Sequence, residues 1–144
     1  MKKITLSFLL VLLTSMSFAQ VKKNPNLKLY TKYECSALDD FLNTNDYLSC
    51  DKSSQYRFYS FSITDTKIVI SELNKMQQVL SKNECEDLIL EKRKDYDVYT
   101  RDNDTREGEF GFQQYYISKD KKKIINVFHG QYGAVYHTFY ILNK

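Results

Sequence analysis

Three cysteines and two histidines are the residues of this chain best suited to redox, nucleophilic or metal chemistry, and their spacing supports little of it. Cys35, Cys50 and Cys85 form no C-x-x-C, so a thioredoxin-type or zinc-ribbon site lacks its basic pair. Cys35 and Cys50 are expected to form a disulfide, because that bond closes a short loop around the end of an expected first helix. A loop of that size stabilises by roughly 3 kcal/mol through the unfolded state. Cys85 is then the odd thiol. It could form an intermolecular disulfide or react, but a buried free thiol is preferred, since unpaired cysteine is among the most buried residue types. His129 and His137 belong to no H-E-x-x-H, and neither a G-x-S-x-G nor a recognisable Cys–His pair occurs. No catalytic residue, metal ligand or cofactor is assigned.

The acidic run Asp102-Asn-Asp104-Thr-Arg-Glu107-Gly-Glu109 fails the EF-hand template, which needs an oxygen ligand at Arg106 and glycine at Glu107. It reads as a polar hairpin loop. Its Asn103-Asp-Thr105 sequon matters only where exported proteins are glycosylated. Asp95 and Asp97 share a strand face and read as a solvated edge, and Lys119-Asp-Lys-Lys-Lys123 reads as a solvated loop.

One polar constellation follows from strand pairing. A loop at 130–133 gives paired positions that sum to 263, which sets His137 opposite Asn126. A two- or four-residue hairpin at Lys119–Lys122 gives a sum of 241 and sets Tyr115 opposite Asn126. Tyr115, Asn126 and His137 then form a row across three strands, among Ile117, Ile124, Phe128, Val135, Phe139 and Ile141. Such a row is either a self-satisfied ladder in the core or the polar floor of a ligand pocket. The ladder is preferred, because unpaired buried polar groups cost roughly 1–3 kcal/mol each. An odd loop length would slip the register and dissolve the row. The opposite face carries Tyr116, Tyr136 and Tyr140 with other apolar residues. Packing explains them most simply; left uncovered, they would suit a protein or glycan partner.

The elements that must position these groups read as α+β. Thr31-Lys-Tyr-Glu34 is a capping-box pattern, and Tyr33, Ala37, Leu38, Phe41 and Leu42 follow at helical spacing, so 32–43 is expected to be an amphipathic helix. Tyr56–Ile63 and Lys67–Ser71 are strand-like. Residues 72–92 form a middle helical segment, with Leu73, Met76 and Leu80 in one run and Ser81-x-x-Glu84 opening another; Leu88-Ile-Leu90 could instead enter a strand. Residues 95–101 alternate as a half-exposed strand. Phe110–Ser118, Lys122–Phe128 and Ala134–Leu142 close the chain as a three-stranded antiparallel meander. A β-rich small barrel or sandwich is the alternative architecture.

Residues 1–19 have the order of a secretory signal. Lys2 and Lys3 precede the apolar run Ile4–Leu13, and Ser17-Phe-Ala19 offers small residues at the cleavage positions. Cleavage is expected after Ala19, with 20–30 as a flexible lead-in and 31–144 as a single exported domain, in the periplasm or the medium. The apolar run is short of the ~20 residues a membrane span needs, and no cysteine stands at the cleavage site for acylation. Without Lys2 and Lys3, 19 basic residues face 18 acidic ones, which removes the concentrated basic charge a nucleic-acid partner requires. These features suggest a small non-enzymatic module binding a protein or glycan as an inhibitor, immunity or binding domain. The alternative is a ligand-pocket protein, hydrolase- or isomerase-like, with Tyr115, Asn126 and His137 at its floor.

Overall fold

The computed structural model describes residues 23–101 and 110–144. The expected signal peptide and the acidic 102–109 loop with its sequon lie outside the described residues. The described chain forms ten strands: β1 (Tyr30–Ser36), β2 (Asp51–Lys52), β3 (Phe58–Ile63), β4 (Ile68–Leu73), β5 (Val79–Cys85), β6 (Leu88–Lys92), β7 (Tyr96–Arg101), β8 (Gln113–Ser118), β9 (Lys123–His129) and β10 (Val135–Leu142). Helical structure among the described residues is confined to two short 3-10 turns, Asp46–Ser49 and Gln131–Gly133. The α+β expectation is therefore overturned, together with both of its helices. The β-rich alternative shares the strand content, but the arrangement is one antiparallel sheet.

Across that sheet the order is β5-β4-β3-β1-β10-β9-β8-β7-β6, with β2 also pairing to β1. Every neighbouring pair but two is a hairpin. The exceptions surround β1, which pairs with β10 over seven positions from Tyr30↔Leu142 to Ser36↔Tyr136 and with β3 at Tyr30↔Tyr59. The sheet cannot be flat. The Cys85 sulfur on β5 lies 3.2 Å from the Tyr115 hydroxyl on β8, six strand places away. At ~4.8 Å per strand a flat sheet would hold them roughly 29 Å apart. The sheet curls, and its concave face closes on a core of Tyr30, Ile68, Cys85, Leu88, Tyr99, Ile117, Ile124 and Tyr140.

The convex face buries Val98, Tyr116, Ile125, Val127 and Phe139 under the segment that follows β1, whose Leu38, Phe41, Leu42 and Tyr47 pack down on them. This covering explains the false helix at 32–43. Tyr33 faces the convex side from β1, and Leu38, Phe41 and Leu42 return to that same side because the chain doubles back over it. A strand followed by its own cover thus reproduces an apolar stripe at helical spacing. The β1–β10 ladder decides between the two, since a pairing partner so distant in sequence is invisible to local periodicity.

The middle segment is corrected in the same way. Asn74 opens a turn in which its side-chain oxygen accepts hydrogen bonds from the Met76 and Gln78 amides, and Gln77 takes a left-handed φ of 61°. That turn joins β4 to β5, an edge strand exposed along all but its last residue. Leu73 is buried at the end of β4, but Met76 and Leu80 stay 49% and 46% exposed, so the apolar positions that suggested a helix share no buried face. The three closing strands occur as β8, β9 and β10, with the first opening at Gln113 rather than Phe110.

The Cys35–Cys50 disulfide joins the end of β1 to the chain just before β2 and so clips the covering segment onto the convex face. Replacing both cysteines by serine is expected to lower the unfolding free energy by about 3 kcal/mol. Urea denaturation followed by far-ultraviolet circular dichroism checks this. An unchanged midpoint would mean that packing alone holds the cover.

Candidate functional site

The row read from the sequence forms in part. Tyr115 lies opposite Asn126, with a pair sum of 241. His137, however, lies opposite Val127, and Thr138 takes the place opposite Asn126. Five residues, 130–134, separate β9 from β10, and this odd loop slips the register by one. His137 therefore faces the convex side, away from Tyr115 and Asn126. The same slip divides the three tyrosines. Tyr116 is buried on the convex side, where it donates to Gln114 Oε1 at 2.8 Å and meets Phe41 edge-on. Tyr136 and Tyr140 alternate onto the concave side, the first half exposed and the second buried.

Each buried polar group of the former row has a partner of its own. The Tyr115 hydroxyl meets Cys85 and accepts from Gln113 Nε2 at 3.1 Å, and burial together with the Cys85 contact pushes its pKa up. Asn126 Nδ2 donates to the Gln114 carbonyl at 3.3 Å. Cys85, the free thiol, is buried.

His137 holds the cover in place. Its Nδ1 accepts the Leu38 amide hydrogen at 2.9 Å, and its ring stacks on Phe41 with centroids 4.5 Å apart. Nδ1 accepts only when unprotonated. Burial, and then the charge of His129, lower the His137 pKa against an opposing contact from the Ser36 backbone.

The concave face is not closed everywhere. After Tyr30↔Tyr59, β1 exchanges β3 for β2, which it meets at Tyr33 and Glu34, so β3 parts from it. A cleft of about 200 Å³ opens there, lined by Lys32, Tyr59, Ile70, Glu72, Ser81, Lys82, Asn83 and Tyr140. Its floor is aromatic: Tyr140 packs edge-on against Tyr59 and Phe61, at 5.4 and 4.9 Å. Its charges are already paired. Lys32 Nζ lies 3.1 Å from Glu34 and over the Tyr59 ring, and Glu72 holds Arg57 at 2.9 Å and Ser81 at 3.2 Å. Burial opposes the Lys32 charge, but the Glu34 hydrogen bond and the Tyr59 hydroxyl outweigh it and raise the pKa. Lys82 also borders the cleft, although its pairing with Ser71 places it on the convex side of β5.

Of these residues only Tyr140 stood out in the sequence. Lys32 was hidden inside the apparent capping box, and Ser81 and Asn83 inside the apparent second helix. Inward alternation of Tyr59 and Phe61 within 56–63 was the one local signal that could have located the floor. Among the described residues, no group of three or more His, Cys, Asp or Glu side chains could hold a metal ion, and no helix is long and apolar enough to cross a membrane. No family model, curated protein or solved structure matches the chain.

The lowered His137 pKa makes stability depend on pH. The unfolded chain, with its histidine near 6.5, binds this proton more readily than the folded one. The contribution is complete above about pH 6.5 and is lost as pH falls from there through the lower folded value. Urea midpoints measured from pH 5 to 8 should fall on the acid side. His137→Asn keeps an acceptor without titrating and should flatten that part of the profile. An unaltered profile in this variant would assign the effect to other groups.

Proposed function

We propose that this protein is an exported, non-enzymatic binding module that holds a glycan in the cleft of its concave face. The observation that carries this reading is the composition of the cleft, where a tyrosine floor is rimmed by lysine, carboxylate, hydroxyl and amide groups. Sugars offer apolar ring faces and a periphery of hydroxyls, so they pair with aromatic surfaces and mixed donors and acceptors. The groups sit on strands, which hold a site more firmly than loops do.

The Cys35–Cys50 disulfide is compatible with a location outside the cytoplasm, where such bonds persist. Together with the signal-like order of residues 1–19 it supports release into the periplasm or the medium after cleavage at Ala19. Amino-terminal sequencing of the exported protein should then begin at Gln20; a chain that retains Met1 would remove that part of the reading.

Retention of the purified protein on an oligosaccharide array tests the binding role. Asn83→Trp fills the cleft from an exposed edge strand, where a large aromatic suits strand structure. The variant should keep its thermal midpoint and lose retention. An array that retains nothing, or retains the variant equally, would overturn the assignment.

A further inference from the structure

The structure assigns the cleft to one uncharged sugar ring, read chiefly by the hydroxyl of Tyr140. This inference rests on the glycan reading above and narrows it in size, charge and recognition element.

Size comes first. At about 200 Å³ the cleft is smaller than the roughly 300–1,000 Å³ of sites for drug-sized ligands. One ring fits it, and a longer saccharide would have to extend outward past Glu34 and Asn83, both exposed. Charge comes second. Lys32 and Glu72 bring opposite charges to the walls, and each is already bound to a counter-charge, Glu34 and Arg57 respectively. A charged ligand would have to break one of these pairs, whereas hydroxyls can use the lone pairs and protons that the pairs leave free. A carboxylate offers about four acceptor positions and an ammonium three donors.

The recognition element comes third. Tyr140 is 8% exposed, and its ring is fixed by Tyr59 and Phe61. Its hydroxyl has no hydrogen-bond partner among the described residues, where no sealed side-chain nitrogen or oxygen lacks one. The oxygen is therefore open to the cleft that the residue lines. A nearly buried donor without a protein partner, on a rigid ring at the floor, rejects ligands that cannot satisfy it, because a buried polar group left unpaired is costly. Nearby Tyr59 and Asn83 add further donors around it, and Ser81, whose proton goes to Glu72, adds an acceptor.

The test is calorimetric titration of the purified protein with glucose, galactose, mannose and N-acetylglucosamine, and in parallel with glucuronic acid and glucosamine. At least one neutral sugar should bind more tightly than both charged ones. Tyr140→Phe, which keeps the ring and its packing, should weaken that sugar about 5–10-fold. Tyr132→Phe, fully exposed in the loop between β9 and β10 and outside the cleft, should leave it unchanged. Tighter binding of a charged sugar, or equal affinity in Tyr140→Phe, would overturn the inference while leaving the glycan reading intact. An array that retains nothing, with no sugar bound in titration, would remove both. Retention on the array that Asn83→Trp abolishes, with no single sugar bound, would overturn the one-ring inference alone.

Discussion

The ladder between β1 and β10 is the interaction on which the rest of the molecule depends. It joins residues that lie a hundred or more positions apart, such as Tyr30 and Leu142, over seven consecutive pairs. Without it the chain would form two separate meanders, β3–β5 and β6–β10, each with an apolar face and nothing to close against. Closing so long a loop is unfavourable, but the cost grows only logarithmically with length, so seven ladder positions and their side chains can offset it. Two end contacts reinforce the junction: the Asn143 amide donates to the Leu29 carbonyl, and the Thr31 hydroxyl donates to Asn143 Oδ1.

Both faces of the sheet acquire their character from this junction. On the convex side, Cys35 is the last inward residue of β1, and the segment that follows must return over the sheet to reach β2. The disulfide fixes that return, and Phe41, stacked on His137, fills the space between. On the concave side, β1 can accompany β3 only as far as Tyr30↔Tyr59 before β2 takes over its edge. The cover and the cleft are thus two outcomes of one strand changing partners.

Much of the sheet was legible in the sequence, and the failures have a common physical origin. The three closing strands could be read because hairpin partners are close in sequence and their turns carry recognisable residues, as in Ser118-Lys-Asp-Lys. Tyr115 was placed opposite Asn126 for that reason. His137 was misplaced by a single residue: the loop after β9 holds five residues, with Tyr132 and Gly133 both at positive φ, and parity decides which face every side chain of β10 takes. β1 and β5 escaped for a different reason. The first finds its one extended ladder with the distant β10 and only brief pairings with β2 and β3, and the second is an edge with no buried stripe, so neither displays the alternation that marks a strand locally. The cleft lies between these two illegible strands, which is why most of its residues were passed over.

The proposed glycan site is preorganised in its floor and adaptable at its rim. Tyr140 is held by its neighbours Lys32 on β1 and Ile124 on β9, and by two aromatic rings, so the position of its hydroxyl oxygen is set in the free protein. Ser81 and Asn83 stand on the free edge strand, where only β4 restrains the backbone. The fixed element can discriminate, because a hydroxyl that cannot leave its place penalises a ligand that fails to meet it. The looser edge can adjust to whatever extends from the ring, at little cost to a floor it does not support. In the proposed site, selectivity and tolerance therefore fall to different strands, and the boundary between them is the place where β3 leaves β1.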